Sequence, residues 1–133
     1  MKIARALGLL ACLAFMGCAG RDPNDSGATA AKTITMTGLH SFDPPNATVA
    51  AGSVVRWRNG DVTRHTVASD TGVTGFNSDP KFPSGLPSGG SFEFTVPGNA
   101  ISGTVFYYHC EFHGRKGDGA HVGTGMAGSI TVQ

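Results

Sequence analysis

Apolar and polar positions alternate along most of the chain after residue 20. Ile34 and Met36 stand out in TITMT, Val55 and Trp57 in SVVRW, Phe92, Phe94 and Val96 in SFEFTV, and Ile130 and Val132 in SITV. A period of two places successive side chains on opposite faces of a strand, and no stretch beyond residue 20 carries the i, i+3, i+4, i+7 pattern of an amphipathic helix. Between the runs stand Asp43-Pro44-Pro45-Asn46, Asn59-Gly60-Asp61 and Pro97-Gly98-Asn99, each able to stop a strand and turn the chain. The pattern predicts seven or eight short strands in one all-β domain, an antiparallel sandwich whose two sheets bury their apolar faces against each other. The Gly- and Pro-rich stretch 69–90 reads as a long excursion over one edge. There is no internal repeat.

The first residues differ. Lys2 and Arg5 precede an apolar run over 6–16, too short for the ~20 residues that span a bilayer, so it reads as a secretory signal. Phe15-Met16-Gly17-Cys18 follows, similar to the box in which a bacterial lipoprotein is cleaved and lipidated at cysteine. Leu9-Leu10-Ala11-Cys12 fits that box by letter but leaves a short apolar run, and Ala28-Thr29-Ala30 offers an ordinary cleavage site. The expected organisation is a signal and lipid-attachment segment over 1–18, a tether of small and polar residues over 19–31, and a folded domain over 32–133. This predicts export to the periplasm or cell envelope, with a membrane anchor at Cys18.

Composition narrows the function. The 133 residues carry 10 Lys and Arg against 9 Asp and Glu. From Lys32 onward the two signs are equal, so no basic face for nucleic acid is expected. Glycine, at 20 residues, is about twice its usual share of ~7%, in keeping with a turn-rich fold. Of three cysteines only Cys110 falls inside the domain, which excludes an internal disulfide there. A lone thiol in an oxidising compartment has to be buried, reactive or metal-bound.

The run GTVFYYHCEFHG delivers Cys110 and His113 where a strand is expected to end; Met126 follows downstream and His65 lies upstream in RHTVAS. One thiolate, two imidazoles and one thioether form a donor set suited to copper in both oxidation states. These residues resemble the cupredoxins, the type 1 blue copper proteins of the plastocyanin, pseudoazurin and amicyanin kind. The resemblance spans nearly all of 32–133: Phe42-Asp43-Pro44, VAAGSVVRWRNGD over 49–61, His65, YHCEFH over 108–113 and MAGSITV over 126–132. It implies an eight-stranded Greek-key sandwich holding one copper ion through His65, Cys110, His113 and, more weakly, Met126. It further implies a monomeric electron carrier, not an enzyme, cycling Cu(I) and Cu(II) with a redox protein docked over 112–114 and the loop before Met126.

The sequence departs from the family by placing twelve residues, GRKGDGAHVGTG over 114–125, between His113 and Met126. Five are glycines, so the insert can loop out, and His121 within it could approach the metal in place of Met126 or beside it. An adaptable loop of that kind motivates a second reading, envelope copper storage, delivery or protection without electron transfer. A third, a Cys110-nucleophile enzyme with a histidine base, lacks an evident cleft. His109 is expected to point away from the metal and lie exposed, and His40, which has no partner in sequence, is expected to be a loop residue. Thr66 is expected near the thiolate, and Asn59 or Asp61 to brace the His65 loop.

Overall fold

A computed structural model describes residues 29–71 and 75–133. The leader, the Cys18 box, the Ala28 end of the alternative cleavage site and most of the 19–31 tether lie outside the described residues. Eight strands follow in order: β1 (Lys32–Thr37), β2 (Ser41–Asp43), β3 (Asn46–Val49), β4 (Val54–Asn59), β5 (Ala68–Ser69), β6 (Ser91–Thr95), β7 (Val105–Arg115) and β8 (Thr124–Val132). They form two four-stranded sheets, ordered β2-β1-β4-β6 and β3-β8-β7-β5.

The alternation of the sequence is the alternation of the core. Ile34, Met36, Val55, Trp57, Val96 and Ile130 are fully buried and Phe92 and Val132 nearly so, while Phe94 packs part-buried against them. The sheets are not purely antiparallel, as expected from the sequence, but mixed. β1 runs parallel to β4 and β3 parallel to β8. Between β1 and β4 the chain forms the β1–β2 hairpin and crosses to the other sheet as β3. It therefore re-enters beside β1 pointing the same way, as a Greek-key path requires.

The excursion over 69–90 also contributes to the core. Phe76 is buried and meets Trp57 and Phe94, and Leu86 is fully buried. Leu86 forms a two-way backbone bridge with His65. Tyr108, fully buried on β7, donates its hydroxyl at 3.1 Å to the carbonyl of Pro45, just before β3 of the same sheet, and its burial pushes the phenol pKa up.

β7 and β8 carry the feature that shapes one end of the molecule. Their ladder is regular from Val105 to His109, then slips: the five steps from His109 to Gly114 face only two from Ala127 to Gly125. The surplus residues bow out of β7 as a bulge. The strand does not stop at His113, as the sequence suggested, but resumes at Gly114 and Arg115 against Gly125 and Thr124. Glycine at 114 and 123 is required by proximity: a Cβ there would collide with the Met126 backbone and the Arg115 carbonyl. The glycines of the insert let two strands approach closely.

Candidate metal centre

Three loops and strands meet at the bulge. His65 is fixed by its backbone bridge to Leu86, Cys110 sits at the inner face of β7 before the bow, and His113 comes back inward after it. The bulge aims Cys110 and His113 at one point, which regular alternation over three residues would not do. His65 and Cys110 are fully buried and His113 is half-buried.

The three donor atoms form a closed triangle. His65 Nδ1 lies 3.1 Å from His113 Nδ1, Cys110 Sγ lies 3.8 Å from His65 Nδ1, and Cys110 Sγ lies 3.6 Å from His113 Nδ1. A point in their plane is about 2.0 Å from all three atoms; zinc, for scale, binds imidazole nitrogen at ~2.0–2.1 Å and thiolate at ~2.3 Å. The triangle is the size of a trigonal coordination plane. A trigonal His2Cys set is the equatorial arrangement of a blue-copper site. These three residues could form a copper site.

The surroundings hold the donors in that pose. Asp61, itself nearly buried, accepts a bond from His65 Nε2 at 3.0 Å, which leaves Nδ1 facing the centre. That bond, opposed by burial and helped by the Thr63 and Val62 backbone, keeps the Asp61 carboxyl below its ordinary range. Asn59 is fully buried beneath it: its amide donates to the Thr63 and Leu86 carbonyls, and its oxygen accepts the Asp61 N–H. The backbone N–H of Thr66 points at Cys110 Sγ at 3.4 Å, and the Thr66 hydroxyl accepts the Glu111 N–H at 2.8 Å. Burial, then the charges of His40 and His65, depress the His113 pKa, favouring the neutral imidazole that a metal requires.

Met126 is buried on β8 within the same apolar cluster as Cys110, with its backbone against Gly114 at the bulge. The donor triangle therefore has a thioether-bearing residue on the adjoining strand. His121 is not part of the centre. It lies 80% exposed at the far end of the insert, its Nδ1 bonded to the Asp118 carboxylate at 2.9 Å.

One further expectation changes. His109 does face away from the centre, but it is buried rather than exposed, because Asp70 covers it with a 2.6 Å contact at Nδ1. The other oxygen of Asp70 accepts the Gly117 N–H at 2.6 Å, pinning the insert to the sandwich. His40 lies in a loop, as expected, and its ring stacks on His113 with centroids 4.0 Å apart and planes 11° from parallel. Neither Asp70 nor His40 carries a motif, since what matters in each is a contact with chain far away in sequence.

No family model matches the sequence. The two mixed sheets, with the donor triangle at one end, define the class: the chain has the cupredoxin fold. Among solved structures it is similar to a reduced Cu(I) form, at pH 4, of a proline-to-glycine mutant of amicyanin. That match has 19% identity and a TM-score of 0.56, over 80% of this chain and 85% of that one. A purple cupredoxin from Nitrosopumilus maritimus matches with 23% identity and a TM-score of 0.53, over 77% of this chain and 99% of that one.

Proposed function

We propose that the protein is a copper-dependent one-electron carrier of the cell envelope. The observation that carries this reading is the donor triangle of His65 Nδ1, Cys110 Sγ and His113 Nδ1, of the size of a trigonal coordination plane. Copper, when bound, would supply the exchange of one electron between Cu(I) and Cu(II). The chain supplies the rest. His65, Cys110 and His113 offer a plane acceptable to both oxidation states, so little rearrangement opposes the change of charge. Met126, buried on the adjoining strand, would be a fourth and weaker holder of the ion through its thioether. Asp61 and the Thr66 N–H hold His65 and the thiolate in place, and the apolar cluster beneath excludes water.

His113 is the least buried of the three donors, which makes it the exit toward a redox protein, docked over the bulge residues 112–114. Phe112, half-exposed beside it, offers that partner an apolar contact. Export and a lipid anchor at Cys18 are supported by the basic and apolar leader and by the Phe15-Met16-Gly17-Cys18 box at its end. The molecule acts as a monomeric carrier and not as a catalyst.

The test is a Cu(II) titration of the purified, reduced, metal-free protein followed by visible and paramagnetic resonance spectra. An intense thiolate-to-copper band with narrow copper hyperfine splitting, abolished by Cys110→Ser, is the expected result. A pale site with wide splitting, unaffected by Cys110→Ser, sinks the reading and moves copper storage or delivery ahead of electron transfer.

A further inference from the structure

His40 ends the three-residue loop that joins β1 to β2, just before Ser41, which pairs with Thr37 across the hairpin. Hairpin loops of this length place their last residue in the left-handed region, where glycine is the usual occupant. His40 has φ of 51° and is the one non-glycine residue with positive φ among the described residues. Glycine would make the same turn without crowding a Cβ against the following carbonyl. A side chain kept where the backbone favours none points to a role for that side chain.

The ring has an evident object. It lies flat on His113 and turns its edge to His65, with centroids 5.9 Å apart and planes at 64°. The two imidazoles of the centre are otherwise held unequally. His65 is fully buried and tied by Nε2 to Asp61, whereas among the described residues no carboxylate is hydrogen-bonded to His113, which Asp61 reaches only through its charge. Phe112 meets it only edge-on, at 6.2 Å. The flat contact that limits rotation of the His113 ring is His40.

We propose that His40 is a positioning residue of the metal centre, its stacked ring holding His113 in the plane from which Nδ1 meets the other two donors. The inference rests on the copper reading for its consequence, slower loss of metal, while the stack is a contact between two side chains of the chain itself. The variants His40→Gly and His40→Phe in the whole protein separate its parts. His40→Gly relieves the turn and deletes the ring; His40→Phe keeps a ring and deletes the imidazole nitrogens.

Three readouts apply: the thermal melt of the metal-free protein, the His113 ring resonances of the metal-free protein by NMR, and the rate at which a Cu(I) chelator strips the loaded protein. His40→Gly is expected to melt no lower than the parent. It should move the His113 ring resonances out of the ring-current field and lose Cu(I) roughly two- to twelvefold faster, the range an aromatic stack supplies. His40→Phe should keep both near the parent values. Unmoved His113 resonances and a parental stripping rate in His40→Gly overturn the proposal. So does equally fast loss from both variants, which would assign the effect to the imidazole nitrogens. A parent that takes up no copper overturns the reading of the centre instead, and the metal-free resonances still decide whether the stack positions His113.

Discussion

The carboxylate of Asp61 stands 3.0 Å from Nε2 of His65, on the side of the ring opposite the donor nitrogen. A carboxylate there fixes the tautomer, fixes the ring plane and raises the basicity of Nδ1. Asp61 is set by the N–H of Val62 at 2.6 Å and by Asn59 below it, so the chain His65–Asp61–Asn59 is a continuous brace.

Replacing Asp61 with Asn keeps the shape of that brace and removes its charge. Partners of this kind are typically worth about 10–100-fold in metal affinity. Asp61→Asn is expected to weaken Cu(II) binding by that order in a competition titration. It should also raise the reduction potential, because the lost negative charge favoured the more positive ion. An unchanged potential would mean that the carboxylate serves only to shape the loop.

The core away from the centre should respond in stability alone. Ile130 is fully buried on β8, pairing with Phe106 on one side and Ala47 on the other. Removing a buried Ile side chain to Ala costs about 2–5 kcal/mol. Ile130→Ala is expected to lower the unfolding free energy of the metal-free protein by that amount while leaving the visible spectrum of the copper form in place. A changed spectrum would show that the β7 bulge is set by packing at a distance.

What the sequence could tell followed from periodicity. Alternation identified Ile34, Met36, Val55, Trp57 and Ile130 as core, because burial of one sheet face writes itself into every second residue. Periodicity says which face a residue takes but not which strand lies beside it, so the parallel pairing of β1 with β4 was out of reach. Cys110 and His113 were legible as a pair by spacing, but the bulge that lets both point inward depends on β8 opposite. Alternation gave the face of His109 correctly and its exposure wrongly, because Asp70 arrives from the bend after β5 to cover it. His40 on His113 is the same case: two rings brought together by a fold, with no pattern in either neighbourhood.

Asp70 makes a testable claim about the insert. Its side chain is wholly buried, one oxygen at His109 and the other on the Gly117 N–H. Asp70→Ala leaves two polar groups without their acceptor, each worth about 1–3 kcal/mol when buried and unpaired. The variant is expected to lose stability on that scale and to lose hydrogen-exchange protection at Gly117 before protection falls at Tyr107 or Ile130. Protection at Gly117 that survives the substitution would mean that the β7–β8 ladder alone holds the insert.

The tip of the insert tests whether His121 serves the metal. Its ring is bonded to Asp118, and that bond, with the N–H groups of Ala120 and His121, pushes the Asp118 pKa down to about 2. A carboxyl depressed in the folded state adds stability above its ordinary pKa of 3.8 and loses it as pH falls toward about 2. The pair is exposed, so salt should weaken it. An NMR titration of the Asp118 carboxyl carbon is expected to give a midpoint about 2, moving up toward the ordinary value in His121→Ala. The backbone N–H groups remain in that variant and should hold back part of the shift. The same variant, loaded with copper, is expected to keep the parent's visible spectrum and its rate of copper loss, since His121 is occupied by Asp118 at the far end of the hairpin. A spectrum that changes in His121→Ala would mean that the tip folds back onto the centre, and the insert would then be a ligand loop.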